Sequence, residues 1–428
     1  MYQTQPGYPA QSSNMPPLYP SQPGYPPQDA SSQPLYPAQP GYPTTVPTGA
    51  TTGYPSQPGY PPTNYAPKPN VGEGSFPSSA PSTTLNDNLK QMTIYGGAEL
   101  FHPTVKPASP FSAESDASAL RNAMKGFGTD EATIINILSR RSNKQRQEIA
   151  VMFKTMYGKD IIQDLKSELS GHLEEAIMAL FKPPAFYDAW SLHKAMSGLG
   201  TKDSVLVEIL CTRTNAEIHE IVSNYKLHFR QDLERDIMSD TSGHFKRLLV
   251  SCLQGNRNEL TQEQIQRVIR EGPASVINLA QAREDAQRLY QAGENRIGTD
   301  ESTILSILAI RNYYQMKATF DEYAKISGKD IIDSIKSETS GDLESGLKAL
   351  ITCSRNRPEF FAKCLNKALS GMGTKDHTLI RVIVSRCEID LQSIKIAYQN
   401  KYGKSLCQAV SSDTSGDYKK LLLALVGE

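Results

Sequence analysis

The sequence predicts an all-α protein made of four repeats of five helices each, preceded by a disordered Pro/Gly/Tyr-rich tail. Two observations support this fold class. From about Ser112 onward, apolar residues recur with the spacing of amphipathic helices. Within that region, a Gly-Thr pair is followed 39 residues later by an acidic residue and then by x-Ser-Gly, and this pattern occurs four times. Chance does not preserve these spacings in four copies, so one structural unit is used four times.

The tail, residues 1–110, has a composition of its own. It contains 24 of the 28 prolines, half of the 20 tyrosines and only seven charged residues. Gln-Pro-Gly-Tyr-Pro occurs four times in it, starting at Gln5, Gln22, Gln39 and Gln57. Proline removes backbone donors and glycine is costly to order, so disorder is expected. The tail is interpreted either as a solvated spacer or as an adhesive tract, which would self-associate or dock small EF-hand-type calcium sensors.

Each repeat is predicted to contain five short helices. In the first repeat, Gly126 and Gly128 end the first helix, and Gly158 and Gly171 mark later turns. Helices of this length are unstable alone and must pack on their neighbours. The predicted boundaries are 1–110 for the tail, 111–182 for repeat 1, 183–254 for repeat 2, 255–355 for an extended linker plus repeat 3, and 356–428 for repeat 4.

Charge and composition exclude several classes of protein. Lysine plus arginine number 45 and aspartate plus glutamate number 45, so no overall field attracts nucleic acid or anionic lipid. No specific nucleic-acid partner is therefore expected. No apolar stretch reaches the ~20 residues of a spanning helix, and no secretory signal is recognisable, which predicts a cytoplasmic protein. The six cysteines lack Cys-x-x-Cys spacing and are expected to be reduced structural thiols.

The repeated Thr and acid predict a cation held between two loops. The pairs are Thr129 with Glu168, Thr201 with Asp240, Thr299 with Glu338, and Thr374 with Asp413. Alternate glycines before the Thr permit positive φ and let successive carbonyls converge on one point. Carbonyl oxygens with one bidentate carboxylate suit Ca²⁺ better than Mg²⁺ or Zn²⁺. Because each site has one carboxylate, weak affinity is expected, and no EF-hand loop is present.

Two further positions recur in every repeat. An apolar residue precedes the last glycine of each loop, where insertion into the interfacial layer of a bilayer is favoured over an incidental role; these residues are Phe127, Leu199, Ile297 and Met372. An arginine follows each Thr by 12 residues, and it is expected to satisfy carbonyls at helix ends rather than to bind a ligand; these are Arg141, Arg213, Arg311 and Arg386.

On these motifs, the region from about residue 111 to 428 resembles an annexin in all four repeats. The carrying sequences are Met-Lys-Gly-Phe-Gly-Thr-Asp-Glu, Ser-Gly-Leu-Gly-Thr-Lys-Asp, Gly-Glu-Asn-Arg-Ile-Gly-Thr-Asp-Glu and Ser-Gly-Met-Gly-Thr-Lys-Asp-His. The tail resembles that of the long-tailed, synexin-type annexins. The resemblance implies a slightly curved disc whose convex face carries calcium loops that bind acidic phospholipids. Ion conduction through the disc is a further family possibility.

The resemblance also implies ligands for each loop. They are the carbonyls of Met124, Gly126 and Gly128 with Glu168, of Met196, Gly198 and Gly200 with Asp240, and of Leu369, Gly371 and Gly373 with Asp413. Repeat 3 departs from this form, because Arg296 replaces the first glycine. A longer loop would place Gly293, Arg296 and Gly298 opposite Glu338. Secondary metal positions are implied at Thr129 with Glu131 and at Thr299 with Glu301.

Three functions are compared on these grounds. The first is calcium-dependent binding to phosphatidylserine-like acidic membranes, with a role in membrane trafficking, aggregation or organisation. Such a protein would be cytoplasmic and peripheral on the cytosolic face of membranes, with nuclear or vesicle association. The alternative is a helical scaffold whose tail drives self-association or RNA-granule tethering. The third, an enzyme, is not expected, because no nucleophile–base arrangement recurs and the seven histidines are scattered.

Overall fold

A computed structural model of the chain describes residues 101–126, 128–198, 200–295, 298–371 and 373–427. These residues form twenty α-helices and one short 3₁₀ helix, and no strand occurs among them. The predicted all-α class is therefore confirmed. No helix in the described ranges combines the length and apolarity needed to cross a bilayer.

Repeats 1 and 2 each contain five helices. Repeat 1 consists of α1 (Ala113–Ala123), α2 (Glu131–Leu138), α3 (Asn143–Tyr157), α4 (Ile161–Glu168) and α5 (Gly171–Leu180). Repeat 2 consists of α6 (Pro184–Met196), α7 (Asp203–Leu210), α8 (Asn215–Phe229), α9 (Leu233–Asp240) and α10 (Gly243–Leu253). Local sequence sets several of these limits. Ser142 and Thr214 begin α3 and α8 with capping boxes, and Gly158 ends α3 in the left-handed conformation.

The linker to repeat 3 forms helical structure that the sequence analysis did not predict. It contains α11 (Gln262–Glu271) and a 3₁₀ turn at Pro273–Val276. Thr261 and Gln264 build a capping box at the start of α11, and Gly272 follows its last residue. These start and stop signals could have been recognised in the sequence.

Repeats 3 and 4 share one long kinked helix. Repeat 3 consists of α12 (Leu279–Ala292), α13 (Glu301–Leu308), α14 (Tyr313–Ser327), α15 (Ile331–Glu338) and the first part of α16 (Gly341–Leu369). The kink lies at Asn356, with φ −162° and ψ 91°, two residues before Pro358; the Asn356 side chain accepts from the Glu359 amide at 3.1 Å and so caps the second part of the helix. Repeat 4 consists of the second part of α16, α17 (Asp376–Arg386), α18 (Leu391–Tyr402), α19 (Leu406–Asp413) and α20 (Gly416–Val426). Counted on both sides of the kink, every repeat has its five predicted helices.

The repeats pack in two pairs. One apolar core joins repeats 1 and 4, with buried residues such as Leu120, Phe153 and Leu421. A second core joins repeats 2 and 3, with buried Leu206 and Phe320. Fully buried side chains of this size each contribute about 1.5–3 kcal/mol, which supplies the stability that the separate short helices lack.

Residues 101–110, assigned to the tail in the sequence analysis, pack on repeat 4. The Thr104 hydroxyl donates to the Leu425 carbonyl at 2.6 Å, and the His102 amide donates to the Ile389 carbonyl at 2.7 Å. Val105 is only 5% exposed. We call residues 101–110 the docking segment. The structure thus extends the packed region of the chain to Phe101.

The recurring arginines are structural, but their partners differ from those expected. Arg141 forms a two-pronged ion pair with Asp116 in the first helix of its repeat, at 2.6 and 2.9 Å. Arg213 pairs with Asp188 and Arg311 with Asp285 in the same way. A carboxylate accepts two parallel charge-assisted bonds from Nε and Nη2, which a single carbonyl cannot do, and this explains the difference.

Two other arginines take the predicted carbonyl-binding role. Arg146 donates from Nε to the Leu138 carbonyl at 2.9 Å. Arg257, in the linker, donates from Nη1 to the Leu308 carbonyl at 3.1 Å. Leu138 and Leu308 each lie nine residues after the loop Thr of their repeats. Repeats 1 and 3 therefore satisfy the same carbonyl with arginines from different parts of the chain.

No disulfide joins the cysteines, all six of which lie in the described ranges; four are buried and two half-buried.

Candidate cation-binding loops

The acid of each predicted pair occupies the same structural position. Glu168, Asp240, Glu338 and Asp413 are the last residues of α4, α9, α15 and α19. The two residues after each acid are extended, and the following Gly begins the fifth helix with positive φ. This short turn lies at the same end of the helices as the loop that joins the first and second helices of the repeat. The acid is therefore next to that loop.

The structure brings Thr and acid together in all four repeats. The Thr129 hydroxyl donates to Glu168 Oε2 at 2.8 Å, and Thr299 donates to Glu338 Oε2 at 2.8 Å. In repeat 2, the hydroxyl of Thr201 lies 3.4 Å from Asp240 Oδ2 and 3.3 Å from its main-chain oxygen. In repeat 4, Thr374 donates to the main-chain oxygen of Asp413 at 2.8 Å. The 39-residue spacing therefore reflects direct contact.

A backbone hydrogen bond that the sequence analysis missed closes each loop. The amide after the Thr donates to an alanine carbonyl in the last turn of the preceding helix, over 2.7–3.0 Å. The four bonds join Asp130 to Ala123, Lys202 to Ala195, Asp300 to Ala292, and Lys375 to Ala368. All four alanines are buried. Their recurrence six or seven residues before the Thr was a usable signal in the sequence.

Glycine conformation agrees only in part with the expectation of alternate positive φ. The glycine immediately before the Thr has positive φ in every repeat: Gly128 at 87°, Gly200 at 79°, Gly298 at 79° and Gly373 at 89°. Among the earlier glycines, Gly126 has φ 114°, whereas Gly198 and Gly371 lie outside the left-handed region. Only the last glycine is therefore required by backbone conformation throughout.

The loop of repeat 3 is one residue longer than the other three, as its sequence indicated. Gly293 ends α12 and lies beside the acid, because a Cβ on it would be 3.5 Å from Glu338 Cγ. Glu294 accepts a 2.8 Å bond from Lys329, and this hydrogen bond holds the pKa of Glu294 below its ordinary value. Gly293 and Glu338 are thus brought together as predicted. The Lys329–Glu294 ion pair ties the start of the repeat 3 loop to the residues before α15.

The other predicted residues divide into placed and unplaced ones. The side chains of Met124 and Leu369 are buried, so these residues can offer only backbone oxygen to a ligand; Met196 is packed against the core of repeats 2 and 3. Phe127, Leu199, Arg296, Ile297 and Met372 lie outside the described residues, and the roles assigned to them stay predictions.

The secondary positions lie at repeat interfaces. Glu131 shares a 360 Å³ pocket with Glu168 and with Asp417 of repeat 4. Glu301 lies 3.6 Å from His244 Nε2 of repeat 2. At the equivalent position in repeat 2, burial and the nearby Asp342 raise the pKa of Asp203. Acidic groups of neighbouring repeats therefore face each other beside the loops.

The donor set suits a hard, oxygen-loving cation. In the described residues, no three His, Cys, Asp or Glu side chains converge as a metal cluster. Each loop instead offers backbone carbonyls and one carboxylate, which in repeats 1 and 3 accepts the Thr hydrogen bond through one oxygen. Such a set matches a weakly held divalent cation with vacant coordination positions and does not match zinc.

Four repeats of five helices, each with a Gly-Thr loop that contacts an acid 39 residues after the Thr, define a class of helical repeat protein with the same candidate cation site in each repeat. Comparison with known families assigns the class. A family model described as Annexin matches residues 115–180, 187–252, 284–350 and 360–425. The chain belongs to the annexin family.

Individual relatives agree with this assignment. The chain is 52% identical to annexin A7 of Homo sapiens over 354 residues, covering 83% of this chain and 69% of that one. It is 50% identical to annexin A11 of Homo sapiens over 324 residues, covering 76% and 61%. Bovine annexin A4 (Bos taurus) is 48% identical over 324 residues, covering 76% and 97%. The match thus spans about two thirds of the first two relatives and nearly all of the third.

Solved structures show the same fold. The structure of annexin III has 44% identity and a TM-score of 0.72, covering 77% of this chain and 98% of that one. Calcium-bound annexin (Sm)1 has 38% identity and a TM-score of 0.71, covering 80% and 97%.

Proposed function

We propose that this protein binds acidic phospholipid membranes when calcium is present, as a peripheral protein on the cytosolic face, and that it acts in membrane trafficking, aggregation or organisation. The observation that supports this most directly is the contact between loop Thr and distant acid in all four repeats. Membership of the annexin family and the similarity to a calcium-bound annexin structure support calcium as the cation.

In this mechanism, each loop holds Ca²⁺ through backbone carbonyls and one acid. In repeat 1 the ligands would be the carbonyls of Met124, Gly126 and Gly128 with the carboxylate of Glu168. Calcium takes six to eight oxygen ligands, so three carbonyls and one bidentate acid leave positions open. Phosphate or carboxylate oxygens of lipid headgroups would complete the coordination, which makes calcium and lipid binding mutually dependent.

The neutral charge of the chain supports an ion-dependent mode. With 45 basic and 45 acidic residues, the protein lacks the net positive charge that would bind it to anionic lipid without help. Calcium would supply the missing positive charge at the loops. The apolar residues Phe127, Leu199, Ile297 and Met372 would then enter the interfacial layer. We place the protein among binding proteins and not among enzymes.

Co-sedimentation with vesicles tests the proposal. The full chain is mixed with phosphatidylcholine vesicles that contain phosphatidylserine, in calcium or in EGTA, and with vesicles of phosphatidylcholine alone. We expect sedimentation only with phosphatidylserine and calcium together, and release when chelator is added. Equal sedimentation in calcium and in EGTA would refute the proposal.

A further inference from the structure

The only tryptophan of the chain lies beside two lysines. Trp190, in α6, is half-buried, and the Nζ atoms of Lys182 and Lys194 lie 4.7 and 4.9 Å from its ring centre. Tyr187 stacks on Trp190 at 6.1 Å. Two ammonium groups on one indole concentrate positive charge at a single aromatic surface.

A small pocket opens beside Trp190 where three repeats meet. Its walls include Lys194 and Lys202 of repeat 2, Glu175 of repeat 1, and His377 and Arg381 of repeat 4. Lys202 directly follows Thr201 of the repeat 2 loop, and His377 lies three residues after Thr374 of the repeat 4 loop. The pocket is therefore next to two of the cation-binding loops but uses none of their proposed ligands.

The positive charge of the pocket is only partly neutralised. The charge of Arg381 is neutralised by a two-pronged ion pair with Glu208, at 2.8 and 2.7 Å. Glu175 is the remaining carboxylate of the walls, and it is shared: His377 Nδ1 is hydrogen-bonded to it, His172 lies at 3.4 Å, and Lys194 lies 4.0 Å away. Lys202 forms no ion pair with any residue that the structure describes.

Lys182 shows the effect of this crowding. Burial, followed by the charge of Lys194, lowers its pKa below the ordinary value. Its ammonium donates to the Met178 carbonyl at 3.1 Å, which does not neutralise its charge. An anion in the neighbouring pocket would relieve this repulsion between cations.

We propose that the pocket beside Trp190 binds a phosphate group, held by the ammonium groups of Lys194 and Lys202 with His377 as a further donor. Lysine binds phosphate as a point charge, and a phosphate oxygen can accept from several such donors at once. The group could be carried by a lipid headgroup or could be a free phosphate. The proposal goes beyond calcium-dependent membrane binding, because none of its residues belongs to the calcium sites.

Trp190 reports on this pocket in the unmodified full-length chain. The protein is titrated with inorganic phosphate in EGTA at constant ionic strength, with chloride as the reference anion. In parallel, it is titrated with phosphatidylcholine vesicles that contain phosphatidic acid and with vesicles that lack it. We expect a saturable change in tryptophan emission, because an anion that draws Lys194 away alters the field on the indole. Isothermal titration calorimetry detects binding that leaves the emission unchanged.

The double variant Lys194→Gln/Lys202→Gln should weaken phosphate binding about tenfold or more, because it removes both charged donors to the phosphate. Lys154→Gln/Lys226→Gln, which removes two exposed lysines of α3 and α8, is the charge-matched control and should bind like the wild type.

The two arms identify the source of the phosphate. A response to phosphatidic acid vesicles alone would assign the pocket to a lipid headgroup, and a response to inorganic phosphate alone would assign it to a soluble ligand. Absence of saturable emission change and of heat in both arms would overturn the proposal. So would a double variant that binds like the wild type. Because calcium is absent throughout, these results are independent of the outcome of the calcium-dependent sedimentation test.

Discussion

The guanidinium of Arg386 lies over the ring of Phe361, 4.6 Å from its centre, where the other three repeats place an aspartate. Arg386 is paired instead with Asp390, four residues further along the chain, at 2.7 Å. Both side chains of that pair are almost completely buried, at 1% and 0% exposure. Repeat 4 thus keeps the recurring arginine, but its partner is Asp390, directly before α18, instead of an aspartate in the first helix.

Loss of one partner from a buried Arg–Asp pair is expected to lower the stability of the fold strongly. Asp188→Ala should leave Arg213, whose side chain is 3% exposed, as an uncompensated buried charge. Breaking a buried pair in this way costs about 3–5 kcal/mol. Calorimetric unfolding should show a clearly lower Tm. Glu263→Ala is the control, because it removes the partner of Arg267 on the exposed linker helix, where a pair is worth ~0–1 kcal/mol. Equal effects of the two substitutions would contradict the structural role of Arg213.

Loss of all four loop acids should abolish calcium-dependent membrane binding. Glu168→Gln, Asp240→Asn, Glu338→Gln and Asp413→Asn each remove a proposed bidentate ligand but keep the side-chain volume. Because the four proposed sites would bind one membrane together, a single substitution should raise the calcium requirement only modestly, whereas the quadruple variant should not sediment with vesicles. Circular dichroism should show unchanged helicity. A quadruple variant that binds like the wild type would show that the ligand assignment is wrong.

The sequence predicts the repeats and loops well, because their positions are set by residues with few alternatives. Thr129 and Glu168, for example, appear at a fixed spacing in all four copies, and the structure joins them directly. A glycine with positive φ before the Thr is similarly specific. Such features depend on local chemistry and on strict spacing, both of which are visible in the sequence.

The arginine partners and the linker were not predicted, for different reasons. An aspartate stands 25 or 26 residues before the arginine in repeats 1, 2 and 3, so the sequence contained a signal for this pair. In repeat 4 the equivalent position is Phe361, and the pattern is therefore incomplete. Arg257 carries no such signal, since it replaces Arg146 only through three-dimensional packing of the linker on repeat 3. Contacts between distant segments of irregular sequence spacing cannot be read from a pattern.

Stability should decline at alkaline pH through buried thiols. Burial raises the pKa of Cys353 from 9.0 to about 12, with nearby arginines opposing the shift, and burial likewise raises the pKa of Cys387 to about 12. The folded state then holds the thiol proton more tightly than the unfolded state does. The resulting stabilisation is complete below pH 9 and is lost as the pH rises from 9 towards 12.

Cys353→Ala should make this decline shallower. The free energy of unfolding would be measured with urea at several pH values between 8 and 11, and the slopes compared, because the variant also loses some packing at every pH. Cys407→Ala, at a half-buried position, serves as the matched control. A slope unchanged by Cys353→Ala would mean that ionisation of this thiol does not limit alkaline stability.

Removal of residues 1–100, which keeps the docking segment, should leave lipid binding intact. A chain that begins at Phe101 keeps the bond from Thr104 to Leu425 and the buried Val105. It should therefore bind vesicles with the calcium dependence of the full chain, since none of the proposed calcium ligands lies before Met124. It should cluster vesicles less, because clustering would need many weak contacts from the repeated tail motifs.

A chain that begins at Ser112 should bind vesicles like the chain that begins at Phe101 but should be less stable. Losing the docking segment exposes the core around Val105 and breaks the hydrogen bonds to repeat 4, which together should cost about 2–4 kcal/mol. Calorimetry of the two truncated chains in one buffer measures this difference, while co-sedimentation and turbidity measure vesicle binding and clustering. Equal Tm values would show that residues 101–110 add nothing to the body. If both truncations abolished vesicle binding, the division between a lipid-binding body and a clustering tail would be refuted, because the tail would then take part in binding itself.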